Sequence, residues 1–165
     1  MPTSDPSALP LIIQLIQNAT PRTILDVGCG YGKLGVLVRE YLEPSSSEGK
    51  QLRTLRVDAV EVFQNYLGPL HAAVYDSVYL GDVRKLEILG AYDLVILADV
   101  IEHFTREEGL LLLSRVQKYL ITTPAGEYPQ GAVYGNEHER HLSRWFPKDF
   151  KTSQIVGSVL VGWNF

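Results

Sequence analysis

Short β-branched runs alternate along this chain with stretches of helical period, and no other feature narrows the fold as far. Strands joined by crossover helices build a parallel sheet with helices packed on its faces. "TILDVG" from Thr23 reads as a first strand, "KLGVLVREYL" from Lys33 as a helix, and "RVDAVEV" from Arg56 as a second strand after the polar connection "EPSSSEGKQ". "YLGPLHAAVY" from Tyr66 reads as a second helix with His71 on its surface, and "SVYLGD" from Ser77 as a third strand. "YDLVILAD" from Tyr92 is nearly continuous in apolar residues, the pattern of a strand covered on both faces. Thr105 followed three residues later by Glu108 is a capping-box pattern, so a helix is expected from about Arg106 through "REEGLLLLSRVQKYL". "YLITTP" follows as a fifth strand. "QIVGSVLVGW" is either one strand or a tight hairpin with Gly157 first in a type II′ turn.

The composition suits one globular domain over residues 1–165, with an N-terminal helix within 1–22: 45% of residues are hydrophobic and mean hydropathy is +0.01. Fifteen basic against 19 acidic residues give a formal charge of −4 with no long basic run, so neither nucleic acid nor a membrane surface is the expected partner. No Lys or Arg precedes Arg22, and no apolar stretch is long enough to span a bilayer, so a cytoplasmic location is expected. The single cysteine, Cys29, excludes an internal disulfide and reads as a small buried hydrophobe rather than a nucleophile.

Between the first strand and first helix lies "LDVGCGYG", with glycine at 28, 30 and 32. Backbone amides and a helix N-terminus meet a ligand at such a junction. The dinucleotide fingerprint G-x-G-x-x-G needs glycine at position 33, which is Lys33, so an NAD-dependent reductase is the weaker reading. Asp26-x-Gly28-x-Gly30-x-Gly32 resembles instead the first motif of class I S-adenosylmethionine-dependent methyltransferases. Glu61 ending the second strand, Asp82 ending the third and "DLVILADVIEHF" on the fourth are similar to that family's further motifs, in the same order. The resemblance runs from about Thr23 to Phe150. It implies an α/β fold: one doubly wound, mostly parallel sheet with flanking helices, Rossmann-like and abbreviated at the C-terminus.

The resemblance also implies that S-adenosylmethionine lies against Asp26, Gly28, Cys29, Gly30 and Gly32. Glu61 and Val62 would meet its ribose, and Asp82 and Val83 its adenine, with Asp99 alongside. A carboxylate at a strand end has the chemistry for a ribose diol, because it accepts from both hydroxyls. The motif "ADVIEHF" departs from the Asn/Asp-Pro-Pro-Tyr/Phe tetrad, which argues against nucleobase amines and glutamine amides as acceptors.

The methyl acceptor is expected on the side of His103 and of the turn-rich segment 125–146, which resembles the region that closes over substrate in small-molecule methyltransferases. His103, His138 and His141 are candidate bases for an acceptor proton, since imidazole titrates near neutrality. Glu102, Asn136, Arg140, Arg144 and Trp145 are candidate substrate contacts, and the arginines would suit an anionic acceptor. His138-x-x-His141 with Asp99 or Glu102 suggests a metal but closes no ligand set, so none is expected. These residues imply methyl transfer to an oxygen or nitrogen of a small molecule. The alternative is a catalytically silent module that binds S-adenosylmethionine or S-adenosylhomocysteine and serves a protein partner.

Overall fold

The computed structural model describes residues 5–165. Helix α1 (Leu9–Ala19) follows a 3-10 turn at Pro6–Ala8, and the first four residues lie outside the described range. The order then runs β1 (Thr23–Val27), α2 (Lys33–Leu42), β2 (Arg56–Glu61), α3 (Pro69–Val74), β3 (Ser77–Leu80), β4 (Leu94–Ala98), α4 (Arg106–Ser114), β5 (Tyr119–Pro124), β6 (Thr152–Val156) and β7 (Val159–Trp163). One seven-stranded sheet has the spatial order β3-β2-β1-β4-β5-β7-β6, parallel except where β7 pairs with β5 and β6. The strand order reverses between β1 and β4, and in open α/β sheets the crevice at such a reversal is where ligands bind.

Side chains alternate across the buried strands with a period of two. In β4, Leu94 and Ile96 join the core formed with Ile12 and Ile16 of α1 and Leu34 and Val38 of α2. Val95 and Leu97 face the other core, with Leu112 of α4, Ile101, Trp145 and Phe150. Burial on both sides is why that run of the sequence lacks polar alternation. Among the described residues no helix is long and apolar enough to cross a membrane.

Two helices are shorter than their sequence patterns suggest. Pro69, which fixes its own φ and lacks an N–H donor, sits in the first turn of α3, and Gln64–Tyr66 form a separate 3-10 turn before it. Helix α4 carries the expected capping box at Thr105 and Glu108 but ends at Ser114. There the Ser114 hydroxyl donates to the Leu111 carbonyl at 2.7 Å, a local bond that competes with continuation of the helix. The C-terminal stretch resolves as a hairpin: Gly157 has φ +58° while Ser158 is not in the positive-φ region, as a type II′ turn requires. Between Pro124 and Thr152 the chain forms only 3-10 turns and an isolated bridge between Val133 and Asn136.

Candidate active site

The carboxyl ends of β1, β2 and β4 open onto a cavity of about 660 Å³. Gly28, Gly30 and Gly32 adopt φ of +68°, +53° and +87°. At Gly28 a side chain is excluded twice over: the conformation is left-handed, and a Cβ there would lie 2.5 Å from a methyl of Val100. The chain can therefore turn from β1 into α2 with its amides close to the cavity.

Glu61 fastens this loop to β2. One carboxylate oxygen accepts from Gly30 N–H at 2.9 Å, and the other accepts from Val62 and Phe63 N–H, both at 2.9 Å. His71 secures the opposite side of the loop. It is buried rather than on a helix surface, with Nε2 2.8 Å from the Gly30 carbonyl and Nδ1 3.0 Å from Gly68 N–H, a pair of contacts that makes Nε2 the donor. The amphipathic pattern of α3 did not reveal this, because the partner lies 41 residues away.

Asp26 is 2% exposed and accepts from the Tyr75 hydroxyl at 2.6 Å. Burial, reinforced by the nearby Glu61, pushes its carboxyl up to about 7. Burial likewise pushes the Cys29 thiol up, away from nucleophilic thiolate. Lys33, which the glycine pattern singled out, lines the same cavity, and burial lowers its ammonium. Asp82, Val83, Val62 and Asp99 line the cavity as the motifs imply. Asp82 is engaged, however, by the Arg84 guanidinium in a fork of 2.6–3.0 Å contacts that holds its carboxyl below the usual range. Asp99, at φ +54°, accepts from the Thr122 hydroxyl at 2.9 Å.

The other half of the cavity is built from the turn after β4 and the segment beyond β5. Glu102, His103, Asn136, His138 and His141 all line it. The segment is docked through backbone: Leu142 and Ser143 N–H donate to the Glu102 carbonyl at 2.8 and 3.1 Å, and His141 N–H donates to the Gln130 carbonyl at 3.0 Å. Asn136 is buried and caps the short turn that carries exposed His138. Sequence reasoning missed Tyr66 and Glu139, whose hydroxyl-to-carboxylate bond of 2.9 Å joins the two halves, because 73 residues separate them.

Glu102 is 2% exposed, and neither carboxylate oxygen has a hydrogen-bond partner, although the Thr123 hydroxyl lies near enough to favour the ionised form slightly. Burial and the neighbouring Asp99 charge push its carboxyl well up. Its ligand atoms and those of His103 and His141 lie within 4.8 Å of one another. The sequence spacing paired His141 with His138; the fold pairs it with His103, ring centroids 5.0 Å apart.

Three expected substrate contacts lie elsewhere. Arg140 pairs with Glu137 at 3.0 Å and Arg144 with Glu127 at 2.9 Å, both exposed, and neither lines the cavity. Trp145 is 1% exposed in the core, its ring stacked on Phe150 and covered by the Arg106 guanidinium. A bulky aromatic in a turn-rich segment is a core anchor here, and its sequence alone did not say which.

No family model matches the chain, and no curated protein matches its sequence. Solved structures do. The chain is similar to the methyltransferase domain of bacterial CtHen1, with TM-score 0.62, 16% identity and coverage of 96% of this chain and 97% of that one. The N-terminal domain of EvdMO1, solved with SAH and D-fucose, matches at TM-score 0.64 and 14% identity over 99% and 82% of the two chains. An rRNA methylase from Escherichia coli matches at TM-score 0.58 and 18% identity over 94% and 62%. The chain has the class I methyltransferase fold. That fold accounts for the glycine loop, the acids at the ends of β2 and β3 and the cavity at the strand-order reversal falling in one place.

Proposed function

We propose that the protein binds S-adenosylmethionine at the glycine loop and transfers its methyl group to an oxygen or nitrogen of a small molecule. The observation that carries this reading is the single cavity that runs from the glycine loop and Glu61 to the histidine-bearing segment. The residues fit the cofactor: close-lying loop backbone for its amino-acid tail, a strand-end carboxylate for its ribose, and buried acids for its positive charge. Bound there, the sulfonium supplies an electrophilic methyl carbon, whose bond to sulfur breaks as a bond to the acceptor forms. The protein then has to exclude water and hold the acceptor in line, which supplies much of the rate of such a displacement. A proton leaves the acceptor nitrogen or hydroxyl, and His103, His138 and His141 are the candidate bases on that side of the cavity.

Thermal shift with S-adenosylmethionine, S-adenosylhomocysteine and NAD, followed by methyl transfer from labelled cofactor to an acceptor panel, tests this. The panel includes small hydroxyl and amine compounds and an RNA oligonucleotide, because rRNA methylases are among the fold's relatives. Stabilisation by the two S-adenosyl compounds and labelling of a small-molecule acceptor are expected. Binding without transfer to any acceptor would favour the silent module.

A further inference from the structure

We infer that Glu102, His103 and His141 form a binding site for a divalent transition-metal cation, placed to hold an oxygen of the methyl acceptor within the cavity. The second clause rests on the function proposed above; the first stands on geometry. Three ligands about 2.0–2.3 Å from one ion lie roughly 3–4 Å from one another. The present spread, within 4.8 Å, therefore closes onto one ion by side-chain rotations of about an ångström.

The histidines are prepared as ligands. His103 Nδ1 lies 3.2 Å from the Arg140 carbonyl and His141 Nδ1 lies 2.6 Å from the Tyr128 carbonyl. Each Nδ1 must carry the proton to donate there, which leaves the lone pair on Nε2. Donation of the second ring N–H to a backbone carbonyl is the arrangement that orients metal-binding imidazoles.

Glu102 supplies the independent sign of a missing partner. Its carboxylate is 2% exposed with both oxygens unbonded, although the chain around it is satisfied through its own carbonyl. A buried carboxylate without partners costs stability unless a cation or a proton meets it. Asp99, hydrogen-bonded to Thr122, adds a second carboxylate nearby. Two imidazoles with one carboxylate suit manganese, iron, cobalt or zinc better than magnesium or calcium. Three protein ligands leave positions open for an acceptor oxygen, and His138, exposed on the same cavity, is left to take its proton.

The experiment uses the full chain stripped by chelator. Mn²⁺ is titrated by electron paramagnetic resonance and calorimetry, and S-adenosylhomocysteine affinity is measured separately without metal. One saturable Mn²⁺ site is expected, weakened about tenfold or more in Glu102→Gln and in His141→Ala, with S-adenosylhomocysteine affinity unchanged. In the unsubstituted protein Zn²⁺ should shift the Nε2 resonances of His103 and His141 and not that of His71, a readout independent of whether either variant folds. Absence of saturable Mn²⁺ and Zn²⁺ binding, or binding unchanged in both variants, overturns the site; Glu102 is then a protonated, neutral acid. Cation binding without S-adenosylhomocysteine binding upholds the site and rejects the proposed function instead.

Discussion

Glu61 ties Gly30, Val62 and Phe63 to the end of β2, and in the function proposed above the same carboxylate would also meet the cofactor's ribose. Three of its roughly four acceptor positions are used by the loop, leaving capacity for a ligand hydroxyl. Glu61→Ala should weaken S-adenosylhomocysteine binding by at least about 1.5 kcal/mol in calorimetry and also lower the melting temperature, since three amides lose a charged acceptor. Unchanged affinity would remove Glu61 from the site. Asp26 gives a pH dependence. Its folded-state carboxyl titrates at about 7 against an ordinary 3.8, so the folded chain holds a proton that the unfolded chain has lost. Stability should therefore fall as pH rises between about 4 and 7 and be flat in this respect above it. A positively charged ligand nearby favours the ionised form, so cofactor binding should release a proton and tighten from pH 6 to pH 8. Calorimetry in buffers of different ionisation enthalpy reads that proton, and Asp26→Asn should abolish it.

At the scale of elements, α4 illustrates how packing overrides propensity. Gly109 is a poor helix former, yet a Cβ there would lie 2.5 Å from the Trp145 ring. Gly109→Ala should destabilise the fold by about 1–3 kcal/mol in denaturant unfolding despite its better helix propensity. An increase in stability would mean the helix does not press on the indole. β1, α2, β2, β4 and β5 were legible because alternation, helical period and apolar continuity are local signals. Trp145, Arg140 and Arg144 were not, because the segment beyond Pro124 has no period, and only its docking on Glu102 decides which side chains turn inward. His71 was misread for a related reason: its burial comes from the glycine loop, a partner distant in sequence.

At the scale of the molecule, the sheet reverses its order between β1 and β4, and that reversal brings motifs from four strands to one cavity. The glycine loop, Glu61 and Asp82 were recognisable in order along the chain, and their convergence follows from parallel strands all ending on the same edge. The histidine side needed the fold, since His103 and His141 come from separate elements. Calorimetric titration of the full chain with S-adenosylhomocysteine, with NAD as comparison, decides which ligand the glycine loop takes. One saturable site for S-adenosylhomocysteine is expected, weakened in Glu61→Ala, with no heat of binding for NAD. Saturable NAD binding with no response to S-adenosylhomocysteine would contradict the proposed function.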